Sequence, residues 1–441
     1  MPSNLSFPDS LVLESSLLLV EVTPYDILIG VTMPHQNLMT YDSINPILFN
    51  SLEDLVLTYL DRLSLKERVR SAFVSLPLSF LQNNASHAFA NSGNLWTFDV
   101  ETFKNKVGLS EAIFVDRATS ISYAIPFLQP NDVITFSSHH DEFQAVQSPY
   151  MVSLIDQSYE SVFTTLNGSH EWESTKSFEK DLGLESQDPD VQNILAIMTQ
   201  KMSFPEPNIN FFFSTVGLES LYGTLYQEKG MEMFLKSKFE TRPRIVDPGA
   251  PNDIDPQELN SPPKVFLEGV TVNISSVDPS MPTPIPYAKS YLPLTSKKQT
   301  LSQNTSLEIN WNLLRALTFP IIVKESLSYK GILGPQTSSL SSQLPQDIQK
   351  FCFECLTLWS KILGETLGRH VLVMSAAGGV YLSGRLLLLI KTLLGDLSLA
   401  HAFEKEMLRH VFTTQPSLYV IIHPLPAFIG MVYMTQKKIT F

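Results

Sequence analysis

A chain of 441 residues with 44% apolar and 17% charged positions is too long for one compact core and too apolar to be disordered, so a soluble globular protein of two domains is expected. The formal charge of −13 argues against a nucleic-acid partner, whose affinity comes from clustered Lys and Arg, and against an anionic membrane surface. The richest apolar run, Leu386–Ile390 between Arg385 and Lys391, is far below the ~18 residues a membrane span needs. No basic N-terminal region leads into a long apolar core, so no signal peptide and a cytoplasmic location are expected.

Leu17–Val22 and Asp26–Val31 read as apolar strands about Thr23-Pro24-Tyr25, Ser51–Leu63 as a helix and Ser71–Leu78 as a strand. Gln82–Ser92 is polar and loop-like. Val100–Val107 predicts an amphipathic helix, and Ala112–Val115 a buried strand leading into a helix over Ala118–Leu128. Val133–Phe136, Met151–Asp156 and Ser161–Leu166 read as strands and Asp190–Met202 as a helix. Phe211–Phe213 is strand-like ahead of a helix through Leu218–Tyr226. Roughly Ser261 to Gln346 is rich in Pro, Ser and Thr and reads as an insertion, partly loop and partly an added lobe. Then follow a helix over Gln346–Leu363, a strand over Val371–Ser375, a Gly378-Gly379 turn, two helices, a strand over Leu418–Ile422 and a last helix from Ala427 into Gln436. This is alternation of helix and strand, the mark of an α/β protein. Cys352 and Cys355 share one face of a helix and have no second cysteine pair. They read as buried packing residues rather than zinc ligands. No internal repeat of fixed period is visible.

Two stretches carry an ordered set of motifs. Gly378-Gly379-Val380-Tyr381, Ala402-Phe403-Glu404, Leu418-Tyr419-Val420-Ile421-Ile422-His423 and Pro426-Ala427-Phe428-Ile429-Gly430 follow one another in the C-terminal part. Upstream, Trp96, Phe98, Gly108, Thr119, Ala124, Ile125 and Pro126 fall into register without gaps, and Pro251–Leu259 adds a fainter match. In these segments the chain resembles the bacterial glucokinases, of the sugar-kinase branch of the actin-like ATPase fold. The resemblance implies a two-domain α/β, ribonuclease-H-like architecture. A smaller N-terminal αβ domain would span 1–135 and a larger C-terminal one 136–441, with the insertion at about 261–346 and the last helix, 427–438, able to pack back on the N-terminal domain. It also implies ATP with magnesium and a hexose substrate.

The residues that would run that chemistry are altered. Phosphoryl transfer needs a base for the sugar hydroxyl, magnesium and amides around the phosphates. The family's N-D-F base position falls on Arg117, which cannot accept a proton, and the neighbouring Asp116 is the remaining candidate base. The first phosphate loop falls on Glu21 to Asp26, where Glu21 survives as a candidate nucleotide and magnesium ligand while both glycines are gone. The second falls on Val146–Val152 and holds no glycine. Candidate sugar contacts are Asn167 and His170, in place of an E-G-G-H motif, and Asn210, in place of a glutamate. Gly378, Gly379 and Gly384 remain at the adenosine turn, with Arg385 replacing a further glycine. Glycine is scarce throughout, 19 in the chain, against the ~7% usual in proteins.

These losses fall on independent parts of one machine. They point to a glucokinase-like protein that has lost catalysis and serves as a binding or interaction module, with the insertion as a partner-contact surface. The alternative is an active, divergent ATP-dependent hexose kinase using Asp116, Glu21 and the three glycines. A hexose, a protein partner and homodimerisation remain open in either case, and cofactors are ATP and Mg in the active reading and none otherwise.

Overall fold

Strands buried on both faces read as nearly continuous apolar runs, and Leu17–Val22, interrupted by Glu21, is such a run with every residue buried. In the computed structural model it forms the second strand of a sheet whose neighbours repay that burial on both sides. The structure describes residues 3–227 and 319–438 apart from 7, 9, 12, 24–25, 36–37, 79–86, 89–94, 97, 137–145, 157–158, 177–183, 185, 187, 203–208, 331, 333–345 and 409–415. Most of the expected insertion, the faint match at Pro251–Leu259 and most of the loop at Gln82–Ser92 lie outside these.

The chain divides into two compact units. The first comprises Met1–Gly217, Pro282–Pro286 and Thr357–Phe441. Its N-terminal sheet contains β1 (Ser3–Ser6), β2 (Leu17–Val22), β3 (Ile27–Thr32), β4 (Leu38–Ile44), β5 (Ser71–Leu76) and β8 (Glu111–Asp116), in the order β1-β4-β3-β2-β5-β8. A two-stranded ribbon pairs β6 (His87–Ala88) with β7 (Leu95–Trp96). The second large sheet contains β9 (Val133–Thr135), β10 (Tyr150–Ile155), β11 (Tyr159–Leu166), β12 (Trp172–Lys176), β13 (Val380–Ser383) and β14 (Leu418–Ile421), ordered β12-β11-β10-β13-β14-β9.

Both sheets share one plan. β2, β3 and β4 form an antiparallel meander, and β5 and β8 then add parallel to β2. β10, β11 and β12 repeat the meander, and β13 and β14 add parallel to β10. β1 and β9 are additional antiparallel edge strands, on β4 and β14 respectively. Helices fill the faces: α1 (Leu52–Arg62) and α2 (Val100–Val107) on the N-terminal sheet, and α3 (Arg117–Ser122) directly after β8. Then come α4 (Pro189–Met202), α5 (Ile209–Phe212), α6 (Thr215–Gln227), α7 (Phe319–Tyr329), α8 (Gln346–Met374), α9 (Arg385–Ile390), α10 (Leu399–Met407) and α11 (Pro426–Gln436), the last following β14.

Period-two alternation assigns each face of β2 to its own core. Leu18, Val20 and Val22 join Leu55, Tyr59 and Phe103 of α1 and α2. Leu17 and Leu19 point the other way, into a core shared with Tyr150, Val152 and Leu154 of β10 and with α3 and α11. That second core spans both sheets. The two helices that follow the last parallel strands are exchanged across it, since α3 packs on β10, β11 and β12 while α11 packs on β2 and β5.

In the second unit, Leu218–Met281 with Tyr287–Leu356, the described residues are helical. Tyr222 and Tyr226 stack edge-on against Phe351. Cys352 and Cys355 are buried beside them, and burial pushes both thiols up.

Two expected strands are helices instead. Phe211–Phe213 lies in and just after α5, because burial of Phe212 and Phe213, and not β propensity, decides the local conformation. Val371–Ser375 begins inside α8. Leu363, Leu367 and Val371 continue one buried stripe at four-residue spacing, and the helix stops only where Ser375 turns left-handed.

Where α3 and α11 cross, the backbones touch. A Cβ on Gly430 would stand 1.7 Å from the carbonyl oxygen of Ser120, which is backbone and cannot swing aside. Gly430→Ala therefore forces the helices apart, and we expect a loss of about 3 kcal/mol or more, in the upper range for an overpacked core. Chemical denaturation of the full chain measures this, and an unchanged midpoint would contradict the crossing described here.

Candidate functional site

β2 and β10 occupy the same place in the two halves, and each apolar run ends in a carboxylate. Glu21 lies two residues beyond Leu19, and Asp156 two beyond Leu154. By the same alternation both side chains point to the faces that carry α3. Arg117, the first residue of α3, meets them there. Its Nε donates to Glu21 Oε1 at 2.9 Å, and its Nη1 donates to Asp156 Oδ2. All three side chains are almost fully buried, at 7%, 4% and 5% exposure. Burial alone would push the Arg117 guanidinium down, but Asp156 and Glu21 outweigh it and hold it above its ordinary value. Burial raises the Glu21 carboxyl, Arg117 opposes this, and Asp156 and Asp26 add to it.

Asp156 has a second commitment. Its Oδ1 accepts the N–H of Arg385 at 2.7 Å, at the start of α9. That approach depends on Gly384, whose φ is +128° and whose Cβ, if present, would stand 2.1 Å from the carbonyl oxygen of Ile155. Gly378 is close-packed for a similar reason. Its N–H donates to Pro149 O at 2.7 Å, and a Cβ would stand 2.0 Å from Gln147 O. Gly379, at φ +102°, turns the chain into β13 beside Ser417. The structure thus brings Gly384 to Glu21 and Arg117 through Asp156, and sets Gly378 and Gly379 at the far end of β13.

Asp116 is the N-cap of α3. Its Oδ1 accepts the Thr119 N–H and its Oδ2 the Thr119 hydroxyl, both at 2.8 Å, and Lys176 Nζ lies 3.4 Å from Oδ2. Close by, Glu160 at the start of β11 accepts the Leu78 N–H at 3.1 Å, a link from one sheet to the other. Burial first, then Asp116, raises the Glu160 carboxyl to about 7. Arg117 therefore bridges two carboxylates, Glu21 and Asp156, and its charge also acts on the Glu160 carboxyl.

The other sequence candidates lie apart. Asn167 and His170 form the tight turn between β11 and β12, with Asn167 Oδ1 accepting the N–H groups of Ser169 and Glu171. His170 is exposed at φ +59°. This turn is at the opposite end of β11 from Glu160, so the structure does not bring these two residues to Arg117. Asn210 lies on α5, which packs against β11, and its Oδ1 is buried with no partner among the described residues. Of the segment matched to a second phosphate loop, Val146–Val152, residues 150–152 are in β10, and the counterpart of the β2–β3 turn in the other half is the connection between β10 and β11. That segment also lacks glycine. The β2–β3 turn closes on itself, with the Thr23 N–H donating to Asp26 O at 3.0 Å.

Asp156 and Glu160 were not singled out by the sequence reading. The available signal was the pairing of two similar runs, LLLVE and MVSLID, each ending in an acid.

A meander followed by two parallel strands, built twice and joined by exchanged helices, defines an actin-like ATPase fold. Solved structures agree. Glucokinase from an Antarctic psychrotroph matches with a TM-score of 0.57 at 13% identity, over 96% of this chain and 99% of that one. Glucokinase from Balamuthia mandrillaris, in complex with glucose, matches with a TM-score of 0.58 at 9% identity, over 96% and 94%. In sequence, a family model described as glucokinase matches residues 326–438. Glucokinase of Helicobacter pylori strain J99 is 27% identical over 217 residues, which is 46% of this chain, and this chain spans 59% of that relative's length. Over these stretches the chain is similar to the glucokinases, and over nearly its whole length it shares their fold. Among the described residues no helix is long and apolar enough to cross a membrane.

The raised Glu160 carboxyl has a testable sign. The folded protein holds a proton there up to about 7, whereas the unfolded chain releases it near the ordinary value of 4.5. Stability from this group is complete below about 4.5 and is lost as pH rises through 7. Glu160→Gln keeps an acceptor for Leu78 and removes the titration. Its stability relative to wild type should rise between pH 4.5 and 7, with a slope of at most about 1.4 kcal/mol per pH unit. Denaturation across that window checks it, and a flat difference would contradict the burial of an ionisable group here.

Proposed function

We propose that this chain has lost phosphoryl transfer and acts as a binding or interaction module on a glucokinase fold. The observation that carries this reading is the commitment of Arg117. A transfer site needs a base within reach of the sugar hydroxyl. The residue matched to the family's base is instead a guanidinium that remains charged at any ordinary pH. Asp116 does not replace it freely, because both of its oxygens already serve Thr119 and one also faces Lys176.

The remaining residues fit ATP and magnesium poorly. Glu21 is engaged by Arg117 and not left for a magnesium-bound water. Neither of the two corresponding hairpin turns carries glycine, so close approach of backbone amides to phosphate is hindered at both. Loss of a general base alone costs about 10²–10⁴ in rate, and loss of positioning and charge stabilisation adds to it. A hexose remains the natural ligand to test, since the Balamuthia mandrillaris relative is described in complex with glucose.

The test is a coupled assay of the full chain with glucose and Mg-ATP, beside a thermal scan with each ligand. No turnover is expected. Turnover that disappears in Asp116→Asn would overturn the reading and restore Asp116 as a base.

A further inference from the structure

We infer that Arg117 is a resident cation. Its guanidinium supplies, from within the chain, the positive charge that the converging carboxylates would otherwise draw from a divalent metal ion, and it ties together the two strand ends that carry them. This assigns Arg117 a positive role beyond the absence of a base, and it stands or falls separately from the kinase assay.

The argument begins with the duplicated topology. Glu21 and Asp156 end equivalent strands of the two sheets and face the same helix. Both are almost wholly out of water on one guanidinium, and the buried Glu160 carboxyl is close enough to feel Asp116, Arg117 and Asp156. Carboxylates brought together out of water need a counter-charge, from a metal ion or from a base. Among the described residues the cations that face them are Arg117, at 7% exposure, and Lys176, at 50%. Only Arg117 is inside. Its fork reaches one carboxylate from each sheet with different nitrogens, which a single ammonium would do less well.

Asp156 extends the tie through the Arg385 N–H to the start of α9. Beside it, Arg385 Nη1 lies 3.8 Å from Asp26 Oδ1, an exposed pair that contributes little by comparison. Oxygen ligands of this kind are those that hard divalent cations prefer. In the wild-type chain the guanidinium occupies their focus.

Removing the guanidinium should therefore create a need for metal. In Arg117→Met, measured in chelator, the melting temperature should fall, and millimolar Mn²⁺ or Mg²⁺ should raise it by several degrees. Wild type should show no such rise. The triple variant Glu21→Gln/Arg117→Met/Asp156→Asn, which removes the charges together, should be more stable than Arg117→Met in chelator and indifferent to metal. If Arg117→Met does not fold in chelator, recovery of its helical circular-dichroism signal with Mn²⁺ carries the same meaning. A metal response equal in wild type and variant, or none in Arg117→Met, would overturn the inference. A triple variant no more stable than the single one would overturn it as well.

Discussion

A guanidinium that is almost wholly out of water keeps its charge only if its partners are themselves fixed in place. Arg117 is held by Glu21 on one sheet and Asp156 on the other, so its position depends on how the two strand ends are set. The dependence runs both ways. Burying three charges costs several kcal/mol per ion, and a close-packed apolar substitute is often as stable. The triad is therefore poorly explained as a source of net stability. What it adds is direction, since its two bonds tie the ends of β2 and β10 to the start of α3.

The surrounding architecture supports that reading. The core between the sheets contains Leu17, Leu19 and Phe73 from one and Tyr150, Val152 and Leu154 from the other. Apolar contacts of this kind are non-directional and would tolerate small slips. Directional restraints are added around them. Ser75 and Ser120 share a hydrogen bond of 2.8 Å, the Tyr150 hydroxyl donates to Ser122 O at 2.9 Å, and the Leu78 N–H reaches Glu160. The backbone contact at Gly430 sets how closely the exchanged helices approach. Arg117 is the charged member of this set.

Much of the fold was legible because the strands and helices that build it carry strong periodic signals. α2 coincides with the expected Val100–Val107, and β2 with Leu17–Val22. β4 and β12 were not anticipated. LMTYDSI and WESTK carry many polar residues, and β12 is a partly exposed edge, so neither shows a buried run. Val371 and Phe211–Phe213 misled for the opposite reason, since apolar β-formers were enlisted by helical cores. In the candidate site, Arg117 stood out because the resemblance supplied a residue to compare it with. Asp156 did not, because the duplicated plan has no counterpart in sequence periodicity. The position of an acid at the end of a second, unrelated-looking strand is a fact of topology, visible only once the strand order is known.

The glycines that carry the resemblance need no nucleotide to account for them. At Gly378 and Gly384 the space for a Cβ is taken by this chain's own carbonyl groups, those of Gln147 and Ile155. A side chain at Gly384 would displace the start of α9 and with it the Arg385 N–H that Asp156 accepts. The turns that carry these glycines close β13 against β10 and complete the environment of Arg117. Packing alone therefore accounts for both glycines. Their presence supports the family and the architecture. It gives no independent support for transfer, and Arg117 nearby is already bound on both sides by Glu21 and Asp156.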